Sequence, residues 1–227
     1  SEKISNYKKY KTSKVKYKLE KVASSFNYPW GLTFIDQENL LVTEKNGRLI
    51  KVNIKTGKII DIKHNIQSIS YNGESIAYQQ GGLLDVYSHT DGYIYFSYSH
   101  NFKKTIGTNN KQRTTSSTAI ARGKLSGNEI KNLEILLIAK PKMHANKHFG
   151  SRIIIKDDNL FASFGERGAG MIAQDPTQHP GSIIRIKKDG NIPKDNPAFK
   201  NHPDWLPEIY LIGVRNPQGM VISPHNG

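Results

Sequence analysis

The sequence predicts an all-β fold, a β-propeller, on three observations. Short β-rich runs alternate with Gly, Asn and Asp turn signals along most of the chain. The strand–turn unit recurs, with starts roughly 50 to 70 residues apart. Helical 3.6-residue periodicity is nearly absent. A β-sandwich would share the first observation but not the repeat.

Taken in order, residues 1–18 show little periodicity and read as a basic N-terminal extension, with the propeller occupying 19–227. Leu19 to Ala23 is a candidate first short strand. Residues 28–34 come next, then Asn39 to Thr43, a turn at Lys45-Asn46-Gly47, and Arg48 to Asn53. Asn-Gly between two β-rich runs is a strong hairpin signal. Gly57 to Ile62 completes the unit. The second unit runs from Gly82 to Val86, through His89-Thr90-Asp91-Gly92 into Tyr93 to Tyr98, then Thr118 to Leu125 and Ile135 to Ile138. The third has Gly150 to Ile155, Leu160 to Phe164, and Gly181 to Ile186, which looks like the partner of Arg48 to Asn53. Another copy starts at Gly219 to Ser223. These units amount to about four blades. A propeller joins its last blade to its first, because an open ring exposes strand edges. The expectation is therefore an incomplete propeller.

The composition narrows the class. The 227 residues carry a net charge of +14, and mean hydropathy is −0.58. No apolar run approaches the roughly 20 residues of a membrane-spanning helix. No signal-peptide pattern is present, although the chain starts at Ser1 and a leader could have been removed. With no cysteine, disulfides, thiolate metal sites and Cys nucleophiles are excluded. Ser1 to Val22 holds eight Lys against two Glu. Such a stretch suits nucleic acid or anionic lipid, or it is simply a solvated extension, which is the expectation here. The other lysines are scattered without interleaved aromatics, so neither a nucleic-acid partner nor membrane insertion is expected.

The chemistry centres on Lys147-His148-Phe149-Gly150-Ser151-Arg152. His148 stands at the mouth of a strand, and the next strand ends in Gly165-Glu166-Arg167-Gly168. Antiparallel neighbours place His148 and Glu166 at one end of a sheet. A carboxylate beside an imidazole fixes its tautomer, which is a general-base pair in outline. A structural histidine and a surface glutamate are the other reading of the same residues. Propeller sites form where inner strands converge, and three further polar, glycine-containing stretches abut inner-strand candidates. They are Gln79 to Asp85, Gly165 to Gly168 with Ala173-Gln174-Asp175, and Gly213 to Gly219. Arg, Asn and Gln together supply a cationic fork and two amides, suited to a flat ligand rich in carboxylates and carbonyls.

Eight stretches, in order, carry a resemblance: PWGLTF (29–34), LLVTEKNGRL (40–49), QGGLLDV (80–86), HFGSRI (148–153), GERG (165–168), AQD (173–175), GSIIRIKKDGNIPKDNP (181–197) and PEIYLIGVRNPQGM (207–220). The chain resembles the glucose/sorbosone dehydrogenase family, soluble aldose sugar dehydrogenases that use pyrroloquinoline quinone (PQQ). The resemblance implies a six-bladed propeller, of which this chain is the N-terminal two-thirds, with the quinone across the channel mouth. It implies oxidation of an aldose at C1 to the lactone, with an external electron acceptor, in the periplasm or outside the cell. By the family's pattern His148 matches the general base and Glu166 its orienting carboxylate. Gln80, Arg215 and Asn216 match cofactor contacts, and Gln218 a neighbouring polar contact. The family's calcium is expected to take ligands beyond Gly227, so no metal ligand is assigned here.

Several residues keep a plainer reading. Gln80 could cap a turn, and Arg215 could be a structural ion-pair partner. Arg152 suits a structural or a functional role, and Asp85 suits tying down blade backbone. His144 and His179 read as loop residues, and Trp30 and Tyr95 as core. The chain departs from the family pattern at Gln79, Lys147, Ser151 and Val214. Lys147 could pair with a cofactor carboxylate. The rival function is a non-catalytic propeller that binds a sugar or a protein.

Overall fold

In the computed structural model, which describes residues 7–11, 13–69, 75–105 and 112–225, every sheet is antiparallel and sequential strands are neighbours. Strands β1 (Tyr7–Lys11) and β2 (Lys16–Glu20) form a two-stranded sheet of their own. The first four-stranded sheet holds β3 (Pro29–Phe34), β4 (Asn39–Glu44), β5 (Leu49–Asn53) and β6 (Ile59–Ile62). The second holds β7 (Leu83–Ser88), β8 (Ile94–Thr105), β9 (Gln112–Ser126) and β10 (Glu129–Ile138). The third holds β11 (Gly150–Lys156), β12 (Asn159–Phe164), β13 (Ser182–Lys187) and β14 (Ile209–Ile212).

Two-residue periodicity explains how the sheets stack. Successive side chains of a strand point to opposite faces. On β8, Phe96 packs toward the first sheet with Leu41, Leu49 and Leu83. Its neighbour Tyr95 packs toward the third sheet with Ile153, Leu160 and Ile184. On β9, Ala119 and Ala121 face the first cluster while Ile120 faces the second. The middle sheet is thus apolar on both faces. On the other side of the first sheet, Val42, Ile50 and Val52 form a smaller cluster under Ala23 and Phe26. The first strands of the sheets also meet, β3 against β7 and β7 against β11. Face-to-face sheets whose first strands converge are arranged as neighbouring propeller blades.

The structure differs from the sequence reading in four places. Gly219 to Ser223 forms no strand, since a strand exists only through its ladder and this segment pairs with nothing among the described residues. The described residues therefore build three four-stranded sheets rather than about four. The fourth strand of the last sheet is β14, in a stretch that carried the resemblance but no strand expectation. The first strands lie at Tyr7–Lys11 and Lys16–Glu20 rather than at 19–23. Finally, Gly181 to Ile186 and Arg48 to Asn53 do not pair; β13 and β5 are each the third strand of their own sheet.

Candidate active site

The site lies where β11 starts and β12 ends. Gly150 pairs with Phe164 across the ladder, and the register slips between Gly150 and Ile153. That irregularity is a bulge, which re-aims side chains at a strand end. It is built from positive φ angles at His148 (+54°), Gly150 (+67°) and Ser151 (+88°). Gly150 tolerates this conformation, whereas Ser151 and His148 are strained by it. The Ser151 hydroxyl donates to the Phe149 carbonyl at 3.2 Å inside a fully buried site. The next strand yields to this bulge: a Cβ on Gly165 would stand 2.1 Å from the His148 carbonyl oxygen.

His148 Nδ1 is hydrogen-bonded to Glu166 Oε1. The other carboxylate oxygen, Oε2, accepts the Gly170 N–H at 2.8 Å. Burial works to raise the Glu166 carboxyl, but the Gly170 N–H, the His148 ring and the Gly168 N–H outweigh it and hold it below its ordinary value. A carboxylate on Nδ1 keeps that nitrogen protonated and leaves Nε2 as the lone-pair atom. Glu166 is not on the surface. Its side chain is 4% exposed, and that of His148 is 11% exposed.

The other expected residues converge here from the second and third sheets. Gln80 Oε1 accepts the His148 N–H at 2.8 Å, so Gln80 acts across the fold rather than within a turn. Asn216 Oδ1 accepts the Gly150 N–H at 3.0 Å. Both side-chain amide nitrogens remain without a partner among the described residues. Arg215 Nε is 4.0 Å from Glu166 Oε1, and its side chain is 81% exposed. An ion pair that long and that open contributes little stability. The Arg215 carbonyl accepts the Glu166 N–H at 2.8 Å. Gln218 joins through its backbone, its carbonyl accepting from Arg152 Nε at 2.9 Å.

Arg152 and Asp85 lash these segments together. Arg152 Nη1 donates to Asp85 Oδ1 at 2.7 Å, and the Ile153 N–H donates to Asp85 Oδ2 at 2.8 Å. The guanidinium also lies 4.7 Å from the centre of the Trp30 ring, so Trp30 is a half-buried platform rather than core; Tyr95 is core. Burial pushes the Asp85 carboxyl up to about 6, against the pull of Arg152 and the Ile153 and Val86 N–H groups. A raised carboxyl supports the fold most when protonated. That contribution is complete below the ordinary 3.8 and is lost as pH rises through about 6. In urea melts, Asp85→Asn is expected to remove the fall in stability across that window.

Two anchors escaped the sequence reading. Arg167 is buried and donates to the Ser116 carbonyl at 3.0 Å and the Lys147 carbonyl at 3.1 Å, fixing the approach to His148. Lys45 Nζ donates to the Gln79 carbonyl at 2.7 Å and so holds the chain before Gln80. Their only signal was position, each in a glycine turn at the site end of its sheet. His179 is a satisfied structural residue: its Nδ1 accepts the Lys140 N–H at 2.9 Å and its Nε2 meets Glu208 at 2.8 Å.

The Glucose / Sorbosone dehydrogenase family model matches residues 26–227. The chain belongs to this family. It is 30% identical over 214 residues to the aldose sugar dehydrogenase YliI of Escherichia coli K12, covering 91% of this chain and 53% of that protein. It is 26% identical over 231 residues to quinoprotein glucose dehydrogenase B of Acinetobacter calcoaceticus, covering 90% and 45%. Among solved structures, the apo-form of the soluble E. coli aldose sugar dehydrogenase matches with a TM-score of 0.73 at 28% identity, over 87% of this chain and 55% of that one. The PQQ-bound aldose sugar dehydrogenase of Streptomyces coelicolor matches with a TM-score of 0.63 at 25% identity, over 87% and 54%. The chain spans about half the length of the glucose/sorbosone dehydrogenase relatives it matches.

Proposed function

We propose that this chain carries the base and part of the cofactor cradle of a PQQ-dependent aldose dehydrogenase that oxidises a sugar hemiacetal at C1 to its lactone. The observation that carries the reading is the His148–Glu166 pair, with Nε2 as the lone-pair atom, alongside the exposed Arg215 and the half-buried amides of Gln80 and Asn216. The donor set suits the cofactor: Arg215 and the free amide groups of Gln80 and Asn216 can meet carboxylates and carbonyls of a flat quinone. When bound, PQQ supplies the hydride acceptor, chemistry that no side chain here provides. His148 Nε2 takes the proton from the C1 hydroxyl. Glu166 holds the ring in the required tautomer and offsets the positive charge the ring then gains. Arg215 would hold a cofactor oxygen or carboxylate with its exposed guanidinium and could offset negative charge there.

Calcium is a different matter. Among the described residues no group of three or more His, Asp or Glu side chains could hold a metal ion, so no step is assigned to one. The three sheets are read as part of a six-bladed ring. The enzyme is read as periplasmic or secreted, passing electrons to an external acceptor. No helix among the described residues is long and apolar enough to cross a membrane.

The test is a titration of the chain with PQQ in the presence of calcium, followed by dye-linked aldose oxidation, with Arg215→Ala in parallel. Saturable cofactor uptake that weakens about tenfold or more in Arg215→Ala is expected, since charge-assisted contacts to a carboxylate are strong. Failure of uptake, both by this chain and by a version extended past Gly227, would leave a sugar- or protein-binding propeller as the better account.

A further inference from the structure

We propose that the β1–β2 hairpin is a docking element for the surface of an anionic lipid bilayer. The inference is independent of the sugar chemistry.

Among the described residues no ladder joins the hairpin to another sheet, and every residue of β2 is exposed. A lone two-stranded ribbon is only marginally stable in water. Its register makes this worse. Lys11 stands opposite Lys16. Like charges directly across a ladder repel. Glu20, the only acid in either strand, sits 3.1 Å from Lys18. A bound anionic surface would turn that repulsion into attraction.

The alternation along β2 identifies the surface. Lys16 and Lys18 fall on one face, Tyr17 and Leu19 on the other. Val15 continues the apolar row, and the exposures of Val15, Tyr17 and Leu19 are 60%, 49% and 58%. Lysines alone would satisfy a phosphate backbone, and a base could stack on Tyr17, but Val15 and Leu19 offer a nucleic acid nothing. A bilayer interface uses all of them. The apolar row sinks to the acyl boundary, Tyr17 sits at headgroup level, and the lysines stay among the lipid phosphates. The chain's net charge of +14 adds long-range attraction to the same surface.

The experiment is flotation of the whole chain with vesicles of phosphatidylcholine alone and of phosphatidylcholine mixed with phosphatidylglycerol. Binding to the mixed vesicles is expected to be at least about tenfold stronger and to weaken with added salt. Lys16→Glu/Lys18→Glu and, separately, Tyr17→Ser/Leu19→Ser should each cut it by about fivefold or more. Both pairs lie outside the packed sheets, so unchanged thermal melts establish that the fold survives. Equal binding to both vesicle types overturns the proposal. So does a Tyr17→Ser/Leu19→Ser chain that binds mixed vesicles as well as the parent. Binding of a labelled single-stranded oligonucleotide as tight as that of the mixed vesicles, unaffected by Leu19→Ser, would assign the hairpin to nucleic acid instead.

Discussion

Replacing His148 with glutamine is expected to lower the rate of aldose oxidation by about a hundred- to ten-thousand-fold, the usual contribution of a positioned general base. Glutamine keeps an amide near the Glu166 carboxylate but has no lone-pair nitrogen to take the C1 hydroxyl proton. The backbone N–H that Gln80 accepts is still present, so the bulge should hold. Cofactor affinity is therefore expected to stay within a few-fold of the parent. The two readouts separate chemistry from binding: kcat should fall and the PQQ dissociation constant should not. A variant that keeps its rate would remove His148 from the mechanism. One that loses rate and cofactor together would make His148 a structural support of the cradle.

Gly165→Ala is expected to be among the most damaging single-methyl changes in the site. Its Cβ would lie 2.1 Å from the carbonyl oxygen of His148 and 2.4 Å from the carbonyl carbon, both backbone atoms that no rotamer can move aside. Relief requires β12 and the His148 turn to separate, which breaks the Gly150–Phe164 pairing. Overpacking of this kind costs about 3 kcal/mol, the upper end of the usual range. Chemical denaturation would measure it, with an unchanged m-value showing that the same structure unfolds. A loss under about 1 kcal/mol would mean the His148 turn is free to shift, and its strained φ would then be incidental.

These two residues mark the line between local and global information. Asn46-Gly47 and the alternating apolar runs act over a few residues, so the hairpins and the antiparallel sheets could be read from the chain alone. His148 and Glu166 flank two adjacent strands, and their closeness follows from that local pairing. The eight ordered stretches were enough for the family. Local patterns also misled where no partner strand answers them. Gly219 to Ser223 has the composition of a strand and pairs with nothing among the described residues, whereas Ile209–Ile212 was taken into the third sheet.

What only the tertiary structure decided is how the residues far apart in sequence are held. Burial is a property of the packed sheets, so nothing in Gly-Glu-Arg-Gly could say that Glu166 would be enclosed and Arg215 open. Asp85 reaches Arg152 across 67 positions and Gln80 reaches His148 across 68, because first strands from neighbouring sheets meet at one end. The Gly165–His148 contact, the Arg167 anchor and the lysines opposed across the N-terminal ribbon depend in the same way on ladder register. Side-chain period and turn chemistry are written in adjacent residues. Register and the meeting of separate sheets are set by the sum of many weak contacts, and that sum exists only in the folded chain.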